Sequence, residues 1–180
     1  MIVLQPVNLS WIKGQADDPT DLDCHGDVDF RIDGDVLVAP SGRTLGMSAA
    51  ALYLLRTLST PHSKTMPVGS QLFPCCGFSM WEIPNNDDVV ILGCDYGDNF
   101  EILHLPNKAG VIVRAPDGRE WEVGWSEWRN TVISFADCIS DFYAGSSPKK
   151  PFDKLEAAGF KRFQSEWERR RGRPLGGITE

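Results

Sequence analysis

The chain has 180 residues, 42% of them hydrophobic and 24% charged, with 25 acidic against 18 basic side chains and a formal net charge of −7. That hydrophobic share, with six Trp and nine Phe, excludes a wholly disordered chain, and the length suits a domain that buries roughly 70% of its unfolded surface. The acidic balance speaks against a general binder of polyanions.

The charge changes sign along the chain. Residues 1–148 hold 20 acidic and 9 basic side chains, and residues 149–180 hold 5 and 9. Residues 82–101 carry six acids and no Lys or Arg. Five cysteines, an odd number at irregular spacing, are expected to be reduced thiols in a cytoplasmic protein. Residues Met1 to Gly14 lack the pattern of a secretory leader, and no run approaches the roughly 20 apolar residues of a membrane span.

Residues 14–27, rich in Asp, Gly, Pro and Thr, read as a loop. Val28–Ile32 alternates apolar and polar, Asp33-Gly34 tolerates positive φ, and Val36–Val38 resumes the apolar pattern, which predicts a hairpin. Ser48 as N-cap before residues 49–58 predicts a helix ending ahead of Pro61, followed by a loop over residues 60–70. Strand-like runs follow at Leu72–Ile83, Val89–Cys94, Phe100–Leu105, Val111–Ala115 and Glu120–Trp125. Short turn segments between them, Asp95–Asp98 included, predict an antiparallel meander. From Ser126 the period becomes helical, with Trp128, Val132, Phe135, Ile139 and Phe142 on one stripe as far as Tyr143. Gly145–Pro151 reads as a linker. A last helix is expected from Asp153, with Glu156 completing a capping box and Gly159 as a break, before an arginine-rich tail that frays. The fold class is therefore α+β: an N-terminal hairpin and central antiparallel meander packed on helices, with an acidic domain over residues 1–145 and a basic helical extension over 146–180 docked on it.

Chemistry-bearing residues are sparse. No nucleophile-elbow serine, Walker loop, dinucleotide fingerprint or zincin motif is present. Cys75, Cys76, Cys94 and His104 are of the types that bind zinc or serve thiol chemistry. Adjacent residues of a strand point to opposite faces, however, which separates Cys75 from Cys76. Cys24-His25 has a nucleophile beside a base, but Asp21, Asp23 and Asp27 disfavour a thiolate there. Asp27, Asp29, Asp33 and Asp35 lack the calcium-loop pattern. The arginines of residues 169–173 suit a helix C-terminus better than phosphate contacts, so no nucleic acid is expected.

What remains is a surface reading. The acids Asp87, Asp88, Asp95, Asp98 and Glu101 with the large aromatics Trp121 and Trp125 predict a binding face for a basic protein, with no cofactor, no membrane and self-association left open. A compact acidic α+β chain with a meander followed by an aromatic-striped helix, over roughly residues 26 to 143, resembles the immunity proteins of bacterial toxin systems. The resemblance implies a non-enzymatic inhibitor of a basic toxin or nuclease, and it assigns no residue roles. The competing expectation is a metal or thiol protein centred on Cys75, Cys76, Cys94 and His104.

Overall fold

The chain opens on β1 (Ile2–Trp11), an element beyond those expected from the sequence, in a computed structural model that describes residues 1–11, 17–75, 79–94 and 96–176. β1 runs antiparallel along β2 (Cys24–Ile32), from Ile2 opposite Ile32 to Trp11 opposite Cys24, with a bulge between Val7 and Ser10. The expected hairpin forms between β2 and β3 (Asp35–Val38). Asp33 and Gly34 take φ of 53° and 94°, the left-handed pair that matches strand twist in a two-residue turn. β4 (Leu45–Gly46) also pairs with β2, so β2 is the centre of the first sheet and all but two of its residues are buried. The loop expected over residues 14–27 ends four residues earlier than predicted, because β2 begins at Cys24.

Helix α1 (Met47–Thr57) starts one residue before the predicted cap. Gly46 stands at the cap position, and Ser48 turns inward, where its Oγ accepts from the Cys24 amide at 3.0 Å. Every α1 residue except Arg56 is buried, as an apolar run without a polar face requires. Helix α2 (Trp125–Ala144) follows its predicted stripe: Trp128, Val132, Phe135 and Ile139 are buried. Phe142 is half-buried against Trp11, with ring centroids 4.9 Å apart, and Tyr143 is buried in its place, donating to the Leu22 carbonyl at 2.6 Å.

The meander is shorter than predicted. β5 (Phe73–Pro74) pairs with β8 (Gly97–Asp98), and β6 (Ser79–Trp81) pairs with β7 (Val90–Leu92), each as a separate ribbon. Only β9 (Glu101–His104), β10 (Gly110–Arg114) and β11 (Glu120–Gly124) form a continuous antiparallel meander, in the order β11-β10-β9. The single strand expected over Leu72–Ile83 is thus split, in keeping with Pro74, which donates no ladder hydrogen bond. The turn expected at Asp95–Asp98 instead contributes β8. Gly97, at φ 145°, lets Phe73 approach so closely that a Cβ would lie 2.3 Å from its carbonyl oxygen.

The residues read as a linker are held. Lys149 is buried with its Nζ 3.2 Å from the Trp11 ring centroid and 2.8 Å from Asp17 Oδ1, and the Lys150 amide donates to the Pro19 carbonyl at 2.7 Å. Helix α3 (Lys154–Arg171) has its predicted N-cap, Asp153 Oδ1 accepting from the amides of Leu155 and Glu156, but Glu156 Oε2 accepts from the Phe152 amide, one residue ahead of the cap amide that a capping box would use. Gly159 does not break α3. It is the point of closest approach to β6, where an added Cβ would fall 1.8 Å from the Met80 carbonyl oxygen. The arginine-rich end does not fray as predicted, since Arg171 and Arg173 both bind Asp137 at 2.7 Å, Leu175 is buried and the Gly176 amide donates to Ser140 Oγ. Residues 177–180, the rest of the predicted tail, lie outside the described residues. Among the described residues no helix is long and apolar enough to cross a membrane.

Candidate functional site

Most acids of residues 82–101 are folded against cations of their own chain. Asp88 receives Arg169 Nη2 at 2.5 Å and Arg170 Nη2 at 2.9 Å from α3. Burial pushes its carboxyl up, but the two guanidiniums outweigh burial and hold it below the usual carboxylate range. Asp98 pairs with Arg43 at 2.5 Å. Glu101 accepts from the Lys64 amide and from Arg114 Nη1 at 2.7 Å, and these contacts, the amide first, lower its pKa. Asp87 is open to solvent, with its side chain 89% exposed and Arg162 3.6 Å away. Asp95 lies outside the described residues.

A second group of carboxylates lies about β11 and the hairpin tip, only partly paired. On the outer face of the meander, one cross-strand row reads Glu101, Arg114, Glu120 and the next reads Leu103, Ile112, Glu122. Arg114 is shared by Glu101 and Glu120, whereas among the described residues no Lys or Arg pairs with Glu122. Round the β11 edge, Trp121 Nε1 donates to Asp35 Oδ2 at 2.9 Å across 86 residues of sequence, and Arg119 lies over the indole at 5.2 Å. The hairpin tip adds Asp33, bonded to the Met1 amine, and Glu127 accepts from the Ile2 amide at 3.0 Å. Trp121 therefore sits half-buried between Asp35 and Arg119, with Glu120 and Glu122 exposed on the opposite face of β11. Trp125 is half-buried farther along, between the Lys108 ammonium at 5.1 Å and the His104 ring at 5.3 Å.

The thiol and imidazole residues serve other ends. His104 Nε2 donates to the Thr57 carbonyl at 2.7 Å; a carbonyl only accepts, which fixes the proton on that nitrogen. Cys75 and Cys94 are half-buried, and Cys76 lies outside the described residues. Among the described residues no three His, Cys, Asp or Glu side chains are grouped as a metal ion requires. At Cys24, burial and then the Asp23 charge push the thiol well up, and Sγ accepts from Ser48 Oγ at 3.4 Å. His25 Nδ1 donates to the Asp23 carbonyl at 3.0 Å, and its Nε2 lies 3.2 Å from Asp23 Oδ2. Burial pushes the Asp23 carboxyl well above its ordinary value and the His25 imidazole down, so burial disfavours the charged form of each. Both are buried, which makes this a structural pair sealed from substrate.

A cleft of about 680 Å³ opens over Tyr53 and Arg56, between the loop of residues 60–70 and residues 86–91. Its two arginines are already engaged. Arg56 donates to Glu166, to the Val68 carbonyl and to the Val89 carbonyl, and Arg170 to Glu166, Asp88 and Ser59. His62 Nδ1 accepts from the Val68 amide at 3.1 Å, so Nε2 donates to Asn99 Oδ1 at 2.9 Å, and burial lowers its pKa. No nucleophile stands beside a base here.

Sequence reasoning placed the binding acids in one dense stretch, noted Glu120, Glu122 and Glu127 only as neighbours of the tryptophans, and weighed Asp35 only as a cation ligand. The signal for two of them was present, since Glu120 and Glu122 are two apart on a strand and must share a face. In comparisons with known proteins, the chain matches no family model, no curated protein and no solved structure.

Proposed function

We propose that the protein is a non-enzymatic acidic binding module that captures a basic protein, as an immunity protein captures a toxin or nuclease. The supporting observation is the pair of exposed acids about β11, Asp35 on the Trp121 indole and Glu122 with no Lys or Arg partner among the described residues, which keep their charge after Asp88, Asp98, Glu101 and Glu120 have been paired internally. A partner's lysines and arginines meet carboxylates there, and the half-buried indole supplies an aromatic anchor. Encounter is steered by charge and is therefore sensitive to salt. The test is titration with a basic nuclease, one encoded beside this chain's gene being the first choice, reading both binding and residual nuclease activity. Wild type inhibits, with an association rate that drops as salt rises. Glu122→Lys combined with Glu127→Lys weakens binding by roughly tenfold or more, on the order of 1.4 kcal/mol. Binding that ignores both salt and the double reversal would overturn the reading.

A further inference from the structure

β11 is an edge strand whose outward backbone groups are open. In the ladder with β10, the Ala115 amide donates to the Arg119 carbonyl at 2.9 Å and the Trp125 amide to the Ala109 carbonyl at 3.1 Å. Antiparallel alternation therefore turns the N–H and C=O groups of Trp121 and Val123 toward β10, and those of Glu120, Glu122 and Gly124 away from it. Among the described residues nothing pairs with the outward groups of Glu120 and Glu122 or with the Gly124 amide, while the Gly124 carbonyl serves as the cap of α2. The opposite edge differs: β9 is closed by a bridge in which His62 and Ile102 exchange amide hydrogen bonds at 2.9 and 2.8 Å.

The two faces beside the open edge also differ. Glu120 and Glu122 are exposed on the outer face, while Trp121 is half-buried and Val123 buried on the inner one. We propose that β11 receives an extended segment of the basic partner as a fourth strand, in which lysines or arginines alternate with apolar residues. Cations of that segment lie beside Glu120 and Glu122, its apolar side chains cover Trp121, and its backbone takes up the outward N–H and C=O groups. This rests on the acidic-module reading and specifies how the partner is held. A second copy is a poor occupant, because pairing β11 with itself sets the carboxylates of one copy against those of the other.

The experiment is amide hydrogen exchange on the full chain with a synthetic peptide of alternating Lys and Val, and with a block peptide of the same composition. At a peptide concentration about ten times its Kd, the alternating peptide slows exchange at Glu122 and Gly124 by roughly tenfold, and the block peptide does not. Glu122→Pro abolishes this protection, and an edge proline with an outward nitrogen leaves the β10 ladder intact. Glu120→Lys combined with Glu122→Lys shifts the preference to an alternating Glu and Val peptide. Equal protection by both peptides, or binding without protection, overturns strand addition and leaves the acidic-module reading standing. If neither peptide binds, both fall. Protection that grows with protein concentration in the absence of peptide assigns the edge to self-association and overturns the proposal.

Discussion

Arg56 and Glu166 lie 110 residues apart in sequence and meet in a two-point pair, Nε to Oε1 at 2.8 Å and Nη2 to Oε2 at 2.7 Å, with the Glu166 side chain wholly buried. Glu166 also takes Arg170 Nε at 2.6 Å and the Val89 amide at 2.8 Å, so one carboxylate ties α1, α3 and the approach to β7 together.

Removing one member of that pair leaves the other charge buried without its partner. Glu166→Ala is expected to cost about 3–5 kcal/mol, whereas the double change Arg56→Met with Glu166→Leu costs less than the single one, because no charge is stranded. Urea unfolding of the variants measures both. A loss under about 1 kcal/mol for Glu166→Ala would show that the staple does not hold α3.

At Gly159 two effects compete. Alanine in a helix interior gains about 1 kcal/mol over glycine, but here the new methyl would meet the Met80 carbonyl oxygen at 1.8 Å, and backbone cannot swing aside as a side-chain tip does. The clash wins. Gly159→Ala should destabilise the protein and raise hydrogen exchange in β6, while the helicity of an isolated α3 peptide rises. A more stable Gly159→Ala protein would contradict the close packing of α3 on β6.

These contacts mark where the sequence was legible. The Asp33-Gly34 turn, the α2 stripe and the Asp153 N-cap depend on neighbours within a few residues, so local chemistry revealed them. β1 was not seen, since its role depends on a partner 13 to 30 residues away and on a bulge that interrupts its alternation. Gly159 looked like a breaker because its reason is a carbonyl on another element. The acids near residue 88 looked outward-facing for the same cause: their counter-charges, Arg169 and Arg170, are about 80 residues further on.

Asp23 makes stability fall as pH rises. Burial raises its folded pKa well above the ordinary 3.8, so it favours the folded state fully below about pH 4 and loses that contribution as pH climbs toward the folded value. The groups around it are Asp21, Cys24, His25, Ser48 and Tyr143. His25 works the other way, with a lowered pKa that removes stability as pH drops below its unfolded value, but it is common to wild type and variant and cancels in the difference. In Asp23→Asn the amide keeps the size and shape of the carboxyl beside His25 Nε2, 3.2 Å away. The variant should match wild type near pH 4 and exceed it at neutral pH, by up to about 1.4 kcal/mol for each pH unit between the unfolded and folded values. Parallel stability–pH curves would refute the assignment.

The end of α3 should respond to acid in the opposite sense. Arg171, and after it Arg173, hold the Asp137 carboxyl below its ordinary value of 3.8, outweighing the burial that raises it. A lowered folded pKa gives stability that is complete above the unfolded value and disappears as pH falls through the folded one, so the window lies below about pH 4. Asp137 keeps 30% of its side chain exposed, which limits the contact to roughly 1 kcal/mol. That is too little to unfold the domain but enough to release its last turn, because Leu175 and the Gly176–Ser140 hydrogen bond are the remaining ties there. On acidification, amide exchange over residues 171–176 should quicken before that of α2. Asp137→Asn should show the quickened exchange already at neutral pH and lose the acid response of this segment. Simultaneous opening of residues 171–176 and α2 would mean that the arginine latch is not a separate unit.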